Sequence, residues 1–130
     1  MSDGRLAQSV DHLGRAIDRL EEALREPAAN SLAVDGTIQR FEFTIELFWK
    51  TLRRLLEAHG VRTETPKDTL RKAFQAGWLE DETVWLQMLR DRNETSHAYD
   101  ESAARRIYES IRHNFPAMRQ AFERLRQRLE

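Results

Sequence analysis

The chain has 130 residues, of which 40% are apolar and 33% are charged, so it is long enough for one hydrophobic core but not for two. Its net charge of −1 argues against a strong electrostatic grip on nucleic acid by the whole molecule, and its lack of cysteine excludes disulfides, thiolate nucleophiles and cysteine zinc sites. No apolar run approaches the ~18 residues of a membrane span and the N-terminal stretch is polar and amphipathic, so we expect neither a signal peptide nor a transmembrane helix and predict a cytoplasmic protein.

Two long amphipathic helices are predicted in the first half of the chain. The first runs from about Asp3 to Arg25 and is stopped by Pro27. Ser31 can cap the second helix, and Gly60 is a natural end for it. Both helices should bury one face, because apolar residues recur three or four positions apart along each of them. These residues are Leu6, Val10, Leu13, Ile17, Leu20 and Leu24 in the first helix and Val34, Ile38, Phe41, Ile45, Phe48, Leu52 and Leu55 in the second.

Three further helices are predicted in the second half. Thr65 and Pro66 provide a capping hydroxyl and a first-turn proline for a short third helix that ends near Gly77. The fourth helix should begin around Asp81, and Asp100 can cap the last helix. The predicted buried residues are Val84, Trp85, Met88 and Leu89 in the fourth helix and Ile107, Ile111, Phe115, Met118, Phe122, Leu125 and Leu129 in the last.

Two long antiparallel hairpins with one short helix between them predict an all-α fold, namely an antiparallel four-helix bundle with an additional short helix. Pro116 should bend the last helix. Phe43, Trp49 and Tyr108 lie off the main apolar faces. These aromatics either widen the core or mark a subunit interface, and the second alternative would make the bundle homodimeric.

The segment from Arg92 to Tyr99 gathers polar groups where a helix is expected to bury apolar side chains. A guanidinium such as Arg92 can grip a phosphate through two donors, and an imidazole such as His97 can move protons at neutral pH. Asn93 and His97 share a helix face, so the amide can orient the ring or bind the same phosphate. The segment is therefore a candidate site for RNA cleavage without a metal.

The spacing of these residues limits how they can meet. Five residues advance a helix face by about 140°, so Arg92 and His97 cannot converge on a straight helix. Either the helix ends near Thr95 and Ser96, or two copies of the segment meet across a dimer, and the two solutions can coexist. Seven residues bring Arg92 and Tyr99 to the same face, where both should point to the bundle interior or to a subunit contact.

The same residues also fit a structural role without chemistry. Arg92 would then pair with an acid such as Glu94 or Glu46, His97 would end the helix, and Tyr99 would be a buried phenol. The pattern Arg-x4-His occurs by chance in many proteins, so residue types alone leave this alternative open.

The spacing Arg-x4-His-x-Tyr, between two helices of a small all-helical chain, resembles the HEPN family, and the ending at Tyr99 is similar to its HepT-type toxins. The stretches RFEFTIELFWKTL and TPKDTLRKAFQAGWL also resemble the branch of nucleotidyltransferase substrate-binding proteins. The resemblance covers nearly the whole chain and implies a single HEPN-like helical domain over residues 1–130.

The resemblance implies a specific function. It makes the protein a homodimer with its motifs at a shared cleft, and a metal-independent endoribonuclease in which Arg92 and His97 are the catalytic pair and Asn93 is their polar neighbour. Its partner would be a separately encoded minimal nucleotidyltransferase, the antitoxin of a two-gene toxin-antitoxin system, which transfers AMP to Tyr99. A noncatalytic substrate-binding subunit of a two-component nucleotidyltransferase is the alternative, and a purely structural helical dimer is a third.

Charge and the remaining residues add two expectations. Residues 80–100 carry a net charge of −4 and residues 101–130 a net charge of +3, so any grip on RNA would have to borrow positive charge from the last helix, a second subunit or a partner. His12, His59 and His113 have no partner at metal-ligand spacing, and the glycines form no phosphate-binding loop. We therefore predict neither a metal site nor a bound cofactor.

Overall fold

The computed structural model describes residues 4–97 and 100–129, and of His97 it describes the backbone alone. The helices are α1 (Gly4–Leu24), α2 (Ser31–Ala58), α3 (Pro66–Gln75), α4 (Glu82–Glu94) and α5 (Glu101–Leu129), and a short 3₁₀ turn, Thr95–His97, follows α4. These ranges contain no strand, which confirms the all-α prediction, and no helix in them is long and apolar enough to cross a membrane. The predicted helix start at Asp3 and the candidate residue Tyr99 lie outside the described residues.

The second helix is the centre of the bundle, since α1, α3, α4 and α5 all pack against it. Its predicted apolar face is buried along its whole length. Phe48 of α2 packs on Trp85 of α4, with the ring centroids 4.6 Å apart. Because α5 also packs on α1 and α4, while α3 joins through α2 and α4, the arrangement is the predicted four-helix bundle with an additional short helix.

The apolar faces of the other helices follow the prediction with few exceptions. On α1 the predicted residues are buried except Leu24, which is partly buried, and on α4 Trp85 and Met88 are buried while Val84 and Leu89 are partly buried. Leu129 is 39% exposed, so its predicted burial was wrong. It occupies the last position of α5, where a helix has fewer neighbours to pack against.

The helix starts are fixed by side-chain caps, and one of them differs from the prediction. Thr65 and Asp100 accept hydrogen bonds from backbone N–H groups in the first turns of α3 and α5, as predicted. Asp81, near which the fourth helix was predicted to begin, caps α4 in the same way. The cap of α2 is Asn30 rather than Ser31: its side-chain oxygen accepts from the N–H of Leu32 at 2.9 Å. Asn30 has an extended backbone and its side-chain carbonyl reaches the N–H two residues on, so Ser31 is the first residue of the helix rather than its cap.

The three aromatics off the predicted faces have different environments. Trp49 and Tyr108 are buried in the core, so for these two the core alternative is confirmed. Phe43 is 63% exposed on α2. An exposed ring of this size in the middle of a bundle helix leaves the interface alternative open at that position.

Two arginines of α5 bond to carbonyls at the end of α1 and in the turn that follows it. Arg112 donates to the carbonyl of Leu24 at 2.8 Å, and Arg105 donates to the carbonyl of Ala28. The last carbonyls of a helix have no partner within the helix, so Arg112 satisfies that of Leu24, while Arg105 satisfies a carbonyl of the turn. The turn between α1 and α2 is therefore held by a helix that lies at the other end of the chain.

Candidate functional site

The candidate segment begins in the last turn of α4 and passes into the 3₁₀ turn. The backbone N–H and the hydroxyl of Thr95 both bond to the carbonyl of Arg92, the hydroxyl at 2.7 Å. This tightening ends the α-helix at Glu94, which confirms the predicted helix end near Thr95 and Ser96. The straight-helix geometry that separates Arg92 from His97 by about 140° thus does not continue through the segment.

The structure places the candidate residues unequally. Arg92 is partly buried and Asn93, the next residue, is exposed on α4. His97 closes the 3₁₀ turn, but its side chain, like all of Tyr99, lies outside the described residues. The convergence of Arg92, His97 and Tyr99 therefore stays a prediction.

Arg92 is held by an acid from the central helix. Its Nε donates to Oε1 of Glu46 at 2.8 Å. Oε2 of Glu46 accepts from the indole N–H of Trp49 at 3.3 Å and lies 3.9 Å from the ammonium of Lys50. Of the two acids that the sequence offered to Arg92, Glu46 is the partner, and Glu94 pairs instead with Arg106 of α5 at 3.6 Å.

A buried carboxylate next to Arg92 was missed in the sequence. Asp91 is only 4% exposed and accepts from Gln87 Nε2 at 2.9 Å and from the hydroxyl of Ser110 on α5. Asn114 in turn donates to Ser110 at 3.4 Å. The signal for Asp91 was its position three residues after the buried Met88, on the same helix face. Asp91 and Arg92 thus tie the last turn of α4 to α5 and to α2, respectively.

The positive charge of α5 is largely engaged inside the molecule. Arg119 pairs with Asp18 and Glu21 of α1, and Arg124 pairs with Glu80 at 2.9 Å. Part of the arginine excess of residues 101–130 is therefore paired with acids of α1 and of the segment before α4.

An open cavity of about 490 Å³ lies between the starts of α2 and α5, and Asp100, the residue after Tyr99, belongs to its wall. The other lining residues are Ser31, Val34, Asp35, Glu101, Ala104 and Arg105. Three carboxylates face one guanidinium there, so the cavity beside the segment is acidic. No histidine is among these lining residues, and the ring of His59 bonds to the carbonyl of Leu55 and packs on Trp78.

The family follows from comparison with known proteins. The model of the family described as nucleotidyltransferase substrate binding protein like matches residues 8–129. The chain belongs to this family. It is also 35% identical to a Haemophilus influenzae protein named Probable ribonuclease HepT, over 100 residues that cover 73% of this chain and 68% of the relative.

Solved structures agree with membership of the nucleotidyltransferase substrate-binding-like family. The crystal structure of ttk003001694 from Thermus thermophilus superposes with a TM-score of 0.81 at 35% identity and covers 88% of this chain and 98% of that one. HI0074 from Haemophilus influenzae, described as having the fold of a substrate-binding domain of a nucleotidyltransferase, superposes with a TM-score of 0.80 at 28% identity and covers 90% of this chain and 98% of that one. The resemblance seen in the sequence is thereby confirmed.

The buried network around Asp91 yields a first prediction. Asp91→Ala leaves the partly buried donors of Gln87 and Ser110 without their acceptor, and we expect it to lower the free energy of unfolding by about 1–3 kcal/mol. Glu94→Ala, three residues on, removes only an exposed ion pair and should cost no more than about 1 kcal/mol. Urea unfolding of both variants measures the difference. Equal losses would show that Asp91 does not anchor α4.

Proposed function

We propose that the chain is the HEPN-type component of a two-gene toxin-antitoxin system and acts in the cytoplasm as a metal-independent endoribonuclease. Its partner would be a separately encoded minimal nucleotidyltransferase. The observation that carries the proposal is the end of α4 at Glu94, just after Arg92 and Asn93, where the turn containing His97 starts. The name of the 35% identical relative, Probable ribonuclease HepT, supports the same chemistry.

In the proposed reaction the 2′-hydroxyl of the RNA attacks the adjacent phosphorus and the bond from phosphorus to the 5′-oxygen breaks. His97 takes the proton of the attacking hydroxyl or gives one to the departing 5′-oxygen. Arg92 stabilises the negative charge that grows on the phosphate oxygens, and Asn93 is a further polar group next to Arg92. The products are a 2′,3′-cyclic phosphate and a free 5′-hydroxyl.

Regulation would act through Tyr99. The phenol oxygen attacks the α-phosphate of ATP in the partner's active site, pyrophosphate leaves, and AMP remains on the tyrosine. An AMP group on Tyr99 would add a bulky anion to the segment that carries Arg92, whose guanidinium receives the RNA phosphate in the proposed reaction. It would then block the cleft and compete for the same donors.

A homodimer would bring two such segments together. Phe43 lies three residues before Glu46 on α2 and is therefore its neighbour on the helix surface. Since Glu46 binds Arg92, the exposed ring of Phe43 lies on the side of the bundle that carries Arg92. A symmetric contact through this side would cover Phe43 and place both Arg92 residues near the dyad.

A noncatalytic role is the second candidate. The family description and the description of HI0074 both name substrate binding for a nucleotidyltransferase, and the bond between Arg92 and Glu46 is the contact expected of a structural arginine. In that case the bundle would complete the substrate site of the partner enzyme and cleave nothing.

The proposed chemistry predicts RNA cleavage that survives EDTA and leaves 2′,3′-cyclic phosphate ends. His97→Ala should lower the rate by about 10²- to 10⁴-fold, because a positioned acid or base is lost. His113→Ala changes an exposed histidine elsewhere on α5 and should cleave like the parent. Labelled single-stranded RNA and gel analysis measure both. Full activity in His97→Ala would refute the mechanism, whereas an inactive parent would favour the substrate-binding role.

The proposed regulation predicts a gain of one or more AMP units when the chain is incubated with the neighbouring nucleotidyltransferase and ATP. The gain should disappear in Tyr99→Phe and persist in Tyr108→Phe, because Tyr108, the other of the two tyrosines, is buried in the core. Intact-mass spectrometry reads all three samples. Labelling that persists without Tyr99, or no labelling by an active partner, would contradict the proposal.

The proposed dimer predicts twice the monomer mass by light scattering at micromolar concentration. Phe43→Glu should dissociate it, since two carboxylates would then be buried in the contact. Leu32→Glu introduces the same charge at an exposed position of α2, three turns away, and should leave the dimer intact. A parent that is monomeric, or a Phe43→Glu variant that stays dimeric, would exclude this interface.

A further inference from the structure

Glu46 is the point at which the central helix meets the candidate segment. Its carboxylate accepts from Arg92 through Oε1 and from the Trp49 indole through Oε2, with Lys50 close to the same Oε2. Trp49 is itself buried and carries the guanidinium of Arg53 over its ring at 5.8 Å. The carboxylate is therefore fixed by groups that belong to α2, independently of Arg92.

The N–H group of Arg92 that binds Glu46 determines which of its other N–H donors remain available to a phosphate. A guanidinium has five N–H donors, and a phosphate is gripped best by two parallel ones. Glu46 takes the Nε–H. Within residues 4–96 and 100–129 neither terminal nitrogen of Arg92 has a hydrogen-bond or ion-pair partner. The pair of donors that suits a phosphate is thus left unoccupied by the described residues.

This geometry distinguishes two roles for an acid beside an arginine. A carboxylate that bound both terminal nitrogens would occupy the edge needed by a phosphate and would act as a competitor. A carboxylate on Nε instead orients the side chain and leaves its outer edge to a ligand. About a third of each side chain is exposed, 36% for Arg92 and 31% for Glu46, so a phosphate can reach the pair from solvent.

We propose that Glu46 is a positioning residue that holds Arg92 by its Nε and presents the two terminal nitrogens to a phosphate group. The inference rests on the proposed function, for which the phosphate is that of the RNA. A free arginine side chain samples many rotamers and loses conformational entropy when a ligand fixes it. If the side chain is already fixed before the ligand arrives, this entropy is not lost on binding. Sequence position alone gave Glu46 only as one possible partner of Arg92.

Three substitutions separate orientation from charge. Glu46→Ala and Glu46→Met both remove the acceptor, and Met keeps most of the side-chain volume. Each should lower kcat for RNA cleavage by about 10- to 100-fold, because the guanidinium is no longer held in place. Glu46→Gln keeps an oxygen that accepts from Nε and should stay within about threefold of the parent. Glu22→Ala is the control, because it removes a carboxylate of α1 that pairs with a different arginine of α2, Arg40, at 3.4 Å.

The coupling to Arg92 gives a result that a structural role would not produce. In an Arg92→Ala background the Glu46→Ala change should have no further effect on kcat. Faster cleavage by Glu46→Ala than by the parent would show that the carboxylate competes with the phosphate. A loss in Glu46→Gln as large as in Glu46→Ala would show that charge, not orientation, is what matters. Either result would overturn the proposal.

A measurement without catalysis keeps this inference separate from the proposed function. The Nε–Hε resonance of Arg92, assigned by its absence in Arg92→Lys, should be protected from exchange with water in the parent and in Glu46→Gln and should be lost in Glu46→Ala and Glu46→Met. If the parent cleaves no RNA, the proposed function fails, but this signal still decides the role of Glu46. An unchanged signal in folded Glu46→Ala and Glu46→Met would overturn it.

Discussion

The bundle depends on a single buried helix face, that of α2. Every other helix packs against it, and its apolar residues recur at the helical period without a break from Val34 to Leu55. Burying each such large side chain contributes roughly 1.5–3 kcal/mol, so the relative placement of α1, α4 and α5 follows from how each of them covers this face. The same packing also sets the position of the candidate site. Glu46 can meet Arg92 because the Phe48 and Trp85 rings bring α2 and α4 into contact.

The candidate site is held more firmly than an exposed polar segment would suggest. Two consecutive residues of α4 point to different neighbours: Asp91 to Ser110 of α5 and Arg92 to Glu46 of α2. The hydroxyl of Thr95 then closes the helix one turn later. Because the last turn of α4 is bonded to two other helices, a side chain on it has little positional freedom. Preorganised recognition of a phosphate requires such restriction.

The fold could be predicted from the sequence largely because its signals are local. The apolar faces of α1 and α2, the caps Thr65 and Asp100 and the helix start near Asp81 all depend on residues within one or two turns of each other. The cap at Asn30 was missed because Asn and Ser stand side by side and both can cap a helix, so only the backbone conformation decides between them.

The contacts of the site depend on how helices cross, which local patterns do not contain. Glu46 and Glu94 were equally plausible partners for Arg92, and the packing of α2 on α4 selected Glu46. Asp91 was overlooked because its acceptor role requires Ser110, nineteen residues away on another helix. Where the hydrogen-bond partner is distant in sequence, the period of a helix shows only that a polar residue faces inward.

The hydrogen bonds from Arg112 and Arg105 of α5 to the end of α1 and its following turn also affect the order in which the chain folds during synthesis. The carbonyls of Leu24 and Ala28 receive their donors from Arg112 and Arg105, so the acceptors leave the ribosome long before the donors do. Until the last helix has been synthesised, the turn after the first helix lacks these donors, and the face of α2 that α5 covers is open to water. A nascent chain of this protein therefore completes its first hairpin only when its last helix emerges.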